Sequence, residues 1–106
     1  MEKIVFNKRV ANYLNDIVLI LYNNNYFSYF ENAIEYKDFI LNEITISNLK
    51  FCKTSKPKHK QYGAHYISIK LNNRTMWYVF FDKVNTTYYI EYITNNHVSD
   101  AQFLNG

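Results

Sequence analysis

Hydrophobic positions along this chain change period once, near the middle. Lys3–Phe6 reads as a short strand, and Asn7 suits the N-cap of a following helix. Val10, Leu14, Ile17 and Leu21 then recur at helical spacing, with Tyr13 and Ile20 widening the stripe. Asn23-Asn24-Asn25 ends that helix. Ser28-Tyr29-Phe30-Glu31 matches a capping box, in which the Ser and Glu side chains satisfy free backbone donors reciprocally. Ala33, Ile34, Ile40, Leu41 and Ile44 mark an apolar face up to about Ser47. A short connection between two such helices predicts an antiparallel helical hairpin.

From Tyr66 onward the pattern becomes that of strands. Tyr66–Leu71, Thr75–Asp82 and Thr87–Thr94 are rich in Tyr, Ile, Val, Phe and Trp. Asn72-Asn73 and Lys83-Val84-Asn85-Thr86 break them, which predicts a three-stranded antiparallel meander. A two-residue Asn72-Asn73 turn would pair Leu71 with Arg74 and Ile69 with Met76. Ile67, Ile69 and Leu71 would then share the helix-facing side with Met76, Tyr78 and Phe80. Tyr66, Ser68 and Lys70 would lie beside Thr75, Trp77 and Val79 on an open face. The last strand has two parities, and either Glu91 or Tyr92 can take the open side. The fold class expected is α+β: an N-terminal strand, the helical hairpin, then the meander, in a single domain spanning 1–106.

Composition adds a charge asymmetry. Residues 1–49 hold four Lys/Arg against six Asp/Glu, whereas residues 50–106 hold eight against three. The basic half is the sheet half, which gives a polyanion a preferred side. Much of that charge sits in Lys50–Lys60, where five lysines and a histidine stand without an acid. This segment, within a loop expected over residues 48–63, would attract phosphate. The many Asn and Tyr beside Lys and Ile are what AT-rich coding produces, so identity alone promotes none of them to function. A lone Cys52 allows no internal disulfide, the longest apolar run is Ile17–Tyr22, and no signal-peptide pattern opens the chain. A cytoplasmic protein with no membrane partner is the expectation.

Several chemistries lack their residues. One Cys and three scattered His give no zinc spacing, and Gly63 and Gly106 cannot make a phosphate-cradling loop. Carboxylates are sparse in the basic half, against a two-metal nuclease centre. Cleavage of RNA without metal or cofactor needs less, because the 2′-OH is its own nucleophile. His97 suits acid–base work near neutral pH, and Arg74, Lys70 and the loop lysines suit the charged transition state.

The strand–helix–helix–basic loop–meander order resembles the RelE/ParE superfamily of bacterial toxins from type II toxin–antitoxin systems. The segments most similar are Ile69-Lys70-Leu71, Arg74 leading into Trp77-Tyr78-Val79-Phe80-Phe81, and Tyr92-Ile93-Thr94-Asn95-Asn96-His97. The resemblance implies a small twisted antiparallel sheet with a helical pair on one face. Its ribonuclease members cut mRNA on the ribosome, without metal, through 2′-OH attack. It implies catalytic roles for His97, Arg74 and Lys70. The basic loop and the open face add to this a reading of their own, in which Lys56, Lys58 and Lys60 hold the RNA backbone and Trp77 or Tyr66 stacks on a base. The resemblance also implies a cognate antitoxin as partner. Three positions depart from the family pattern: Ser68 stands where a second lysine is common, the Asn-Asn turn is about a residue short, and Val98 replaces a frequent Tyr. Two alternatives stay open, a ParE-like toxin that inhibits a topoisomerase and a non-toxic RNA- or protein-binding module.

Overall fold

A computed structural model describes residues 1–23, 30–71 and 75–95, and only the backbone of 17–23 and 30–33. The fold is α+β. Its elements run β1 (Lys3–Phe6), α1 (Lys8–Asn23), α2 (Phe30–Glu43), α3 (Ile46–Lys50), β2 (Lys53–Thr54), a 3-10 turn (Pro57–His59), β3 (His65–Lys70), β4 (Met76–Val84) and β5 (Thr87–Asn95). The strands form one mixed sheet in the order β1-β5-β4-β3-β2. The meander is therefore its centre rather than its whole. β1 joins parallel beside β5, and β2 joins antiparallel beside β3.

Local chemistry accounts for the helix ends. Asn7 Oδ1 accepts from the Arg9 N–H at 2.8 Å, the expected cap of α1. The capping box at Ser28–Glu31 lies outside the described residues and side chains. The second apolar face does not run on to Ser47. Glu43 ends α2, and Thr45, extended at φ −120°, caps a separate helix by accepting from Asn48 N–H at 3.1 Å. Ile40 and Ile44 are buried as expected, but Ile34 is 39% exposed. Residues 48–63 are likewise not a plain loop, since they hold the end of α3, the strand β2 and a 3-10 turn.

The central correction concerns register. Lys70 pairs with Met76, Ile69 with Trp77 and Ile67 with Val79, and the Leu71 N–H donates to Thr75 O at 3.0 Å. Three residues, 72–74, separate that pair, one more than the two-residue turn expected. A slip of one residue sends every side chain of a strand to the other face. Trp77, Val79 and Phe81 thus face the helices with Ile67 and Ile69, while Met76, Tyr78 and Phe80 join Tyr66 on the second face.

The open parity of β5 is resolved by a bulge. Phe80 pairs with Tyr92 but Phe81 pairs with Ile90, so Glu91 is the extra residue. Ile90 and Ile93, three apart, consequently both reach the helix-side core, and Tyr92 takes the second face. Before the bulge, Val84 pairs with Thr87 across Asn85-Thr86, with Asn85 at φ 56°. Asn tolerates that backbone better than most residues. Val10, Leu14, Ile40, Ile44 and Leu49 complete the core against Trp77, Val79, Phe81, Tyr88 and Ile90.

Candidate nucleic-acid interface

Of the residues singled out in the sequence, Tyr66 and Lys70 lie on the second face of the sheet, but this face is not open. Residues 55–63 fold across it. Ser55 Oγ donates to Gly63 O at 2.6 Å, and Ser55 N–H donates to Ala64 O at 2.9 Å, closing the loop at its base. Within it, the His59 and Tyr62 N–H groups donate to Lys56 O and His59 O. Aromatic rings make the contact with the sheet. Tyr62 stacks on Tyr92 at 4.4 Å and 15°, and meets Phe80 edge-on at 5.6 Å. The His59 ring lies 6.1 Å from Phe80 and is 2% exposed. Such pairs add to the apolar area they bury.

Gly63 makes the close approach possible. Its φ is +155°, and a Cβ there would lie 2.7 Å from Phe81 N and 3.1 Å from Phe80 C. Asp82 Oδ1 accepts from the next N–H, that of Ala64, at 2.8 Å. The loop is thereby held on β4 by the Asp82 carboxylate and by the close backbone approach at Phe81.

Around this paved face stand the cations. Lys56, Lys58 and Lys60 are exposed on the loop, and Lys70 is exposed at the end of β3. Lys50, from the same basic run, is used otherwise. Its Nζ meets Glu2 Oε1 at 3.0 Å on the helix side, where the Tyr88 hydroxyl donates to Glu2 Oε2 at 2.9 Å. The Lys50 hydrogen bond, then that of Tyr88, lowers the Glu2 carboxyl below its usual value, and Glu2 in turn raises Lys50. The depressed carboxyl means that this small surface contribution is present above the normal carboxylate range and lost as pH falls through it.

Two residues expected to stack on bases are not available for it. Trp77 is 1% exposed and faces the helices, where its Nε1–H donates to the Tyr36 hydroxyl at 2.9 Å and Tyr13 packs at 6.4 Å. The one-residue slip in register is the reason. Tyr66 does lie on the expected face, but it is 6% exposed, tilted against Phe80 at 5.3 Å and edge-on to Tyr78 at 6.2 Å. Arg74 and His97 lie outside the described residues. Of the remaining histidines, His59 packs under the loop and His65 against Phe81 at 5.8 Å.

Sequence reasoning missed a groove of about 250 Å³ between α1 and β5, lined by Arg9, Val10, Tyr13, Glu91, Tyr92, Ile93 and Thr94. It forms where β1 ends at Phe6, opposite Ile90, and β5 continues, with the bulge residue Glu91 on its wall. Burial raises the Tyr13 phenol above its usual value, with Tyr92 and Tyr36 adding, so it is a neutral hydroxyl at physiological pH. Among the described residues no three His, Cys, Asp or Glu side chains form a metal-binding group, and no helix is long and apolar enough to cross a membrane. No family model, characterised protein or solved structure matches this chain.

Proposed function

We propose that this chain is the toxin of a type II toxin–antitoxin system, a metal-independent mRNA endoribonuclease acting on the ribosome in the cytoplasm. One observation supports this most: Lys56, Lys58, Lys60 and Lys70 are exposed around one face of a sheet whose other face carries the helices. The element order, similar to that of RelE/ParE toxins, supplies the rest. In the proposed step the RNA 2′-oxygen attacks phosphorus and the P–O5′ bond breaks. His97 transfers the proton, while Arg74 and Lys70 stabilise the charge on the phosphoryl oxygens. The loop lysines hold the backbone electrostatically, without a stacking ring from Trp77 or Tyr66. A cognate antitoxin holds the toxin inactive.

His97→Ala is expected to bind ribosomes and lose mRNA cleavage by about a hundredfold or more, as removal of a general acid–base does. Single-turnover cleavage on programmed ribosomes measures it, and a drop below about fivefold would remove His97 from the chemistry. Burial of both expected stacking rings favours a second reading, a ParE-like toxin that binds a topoisomerase. Pulse labelling after induction separates the two. Protein synthesis falls first for the nuclease and DNA synthesis first for the topoisomerase inhibitor, and undiminished growth at confirmed expression excludes both.

Replacing Lys56, Lys58 and Lys60 together with Ala should weaken RNA binding without unfolding the domain. Single-stranded RNA loses affinity with salt at a slope of about −0.7 per neutralised phosphate, so three lost contacts should flatten the slope by about 2. Fluorescence anisotropy across a salt series reads this directly. An unchanged slope would place the RNA elsewhere.

A further inference from the structure

One aromatic side chain stands in solvent outside the paved face. Phe51, the C-cap of α3, is 86% exposed. A large apolar ring left in water gains free energy when a flat partner covers it. Phe51 walls a groove of about 300 Å³ at the outer edge of β3, together with Glu43, Asn48 and Lys53 and with Ile67 and Ser68 of the strand. That size is at the small end for a ligand site. β2 pairs only with His65 and Tyr66 of this edge, so the groove opens beside the residues that follow.

The carboxylate in this groove is held by its neighbour. Asn48 Nδ2 donates to Glu43 O at 2.7 Å and to Glu43 Oε2 at 3.4 Å. Asn48 is in turn fixed at the start of α3, where its N–H donates to the Thr45 hydroxyl at 3.1 Å. A carboxylate has about four lone-pair sites, so acceptors remain for a ligand. We propose that this groove holds a guanine base of single-stranded RNA, stacked on Phe51 and read by the Glu43 carboxylate. The inference rests on the proposed RNA substrate, and it supplies the stacking contact that Trp77 and Tyr66 cannot make.

Hydrogen-bond chemistry selects the base. An aromatic ring stacks on any of the four and prefers none strongly. A carboxylate is different, because it accepts two hydrogen bonds side by side and donates none. Only guanine sets two donors, N1–H and N2–H, next to each other on its Watson–Crick edge. Adenine and cytosine offer one amino donor beside a ring acceptor that a carboxylate repels, and uracil holds its N3–H between two carbonyls. A carboxylate alone would also repel the RNA backbone. Lys53 in the groove and Lys70, two residues beyond Ser68 on the same face, are both exposed and offset that repulsion.

Fluorescence anisotropy of the full chain with labelled oligouridines of about eight nucleotides, each carrying one central guanine, adenine or cytosine, tests this. Methylation of every 2′-oxygen keeps cleavage from intruding. The guanine oligonucleotide is expected to bind at least about tenfold more tightly than the others and than plain oligouridine, as a two-bond base contact allows. Phe51→Ala should weaken it about tenfold or more and Phe51→Trp should restore it, with both folding as wild type because the ring is in solvent. Glu43→Gln replaces two acceptors by one acceptor and one donor. It should bring the preference for guanine below about threefold without weakening the other oligonucleotides. Wild-type binding without preference for guanine overturns the site, and intact cleavage on programmed ribosomes would leave the ribonuclease reading standing beside that failure. A guanine preference that depends on Phe51 and Glu43, in a chain that cleaves nothing, keeps the site and removes that reading. The proposal also fails if no oligonucleotide binds, or if the preference survives both Phe51→Ala and Glu43→Gln.

Discussion

Trp77→Ala is expected to destabilise the fold by about 3–5 kcal/mol, the usual cost of deleting a buried Trp side chain. The ring is the largest wholly buried group of the helix–sheet seam, set between Tyr13 of α1 and Tyr36 of α2, with its Nε1–H donating to the Tyr36 hydroxyl. Small domains are stable by about 5–15 kcal/mol in all, so the loss is a large share. In thermal terms it is roughly 15 °C or more for a chain of this size. Trp77→Phe keeps much of the volume and loses the hydrogen bond, and should cost about 1–2 kcal/mol. Urea unfolding of the two variants measures both values. The experiment also decides the register of β3 against β4. With a two-residue turn at 72–73 Trp77 would face away from the helices, and its loss would then lie within about 0.5 kcal/mol, as for most surface positions.

Gly63→Ala is the second large effect, and it acts on the interface rather than the core. The added methyl meets backbone, not a flexible side chain: Phe81 N at 2.7 Å and Phe81 O at 3.1 Å. The backbone there also lies at φ +155°, which L-residues rarely adopt. Strain of about 1–3 kcal/mol for the conformation and about 1–3 kcal/mol for the overlap together predict a loss of about 3 kcal/mol or more, unless the loop lifts away. If it lifts, the Tyr62–Tyr92 stack and the His59–Phe80 contact are lost with it, and the lysines at 56, 58 and 60 leave the sheet face. Either outcome is visible by comparing the melting curve with hydrogen exchange at residues 55–64. A variant with wild-type stability and wild-type exchange would mean that the loop does not pack on Phe80 and Phe81 as described.

The sequence made the elements legible and left their phase undetermined. β1, the Asn7 cap and the start of the α1 stripe depend on local chemistry and spacing, and they appear where the pattern puts them. Residues 48–63 read as a plain loop because Pro57, Gly63 and the lysines are loop-like in composition, while the strand within them is only two residues long. The faces of β4 depended on one residue of turn length, and Asn72-Asn73 looks like a complete hairpin turn on its own. From that single count followed the assignment of Trp77 to the open face. The bulge at Glu91 has no local signature at all, since it reconciles Tyr88 and Ile90 on the core side with Ile93 further on. Of the candidate site, the basic rim was visible as charge. The packing of His59 and Tyr62 onto Phe80 and Tyr92 required the tertiary fold.

The bulge bears on how this chain can change over time. Substitutions at Glu91 alter one half-buried side chain, and losing the codon for it would set Tyr92 directly after Ile90 with the pairings Phe81–Ile90, Phe80–Tyr92 and Val79–Ile93 unchanged. Ile90 and Ile93 would then keep the core side by plain alternation, and only the local bend and twist that the extra residue adds would be lost. Within Trp77–Phe81 every residue is paired, and a residue lost there sends part of β4 to the other face. Among descendants of this gene a one-residue deletion should therefore be found at Glu91 more readily than within Trp77–Phe81.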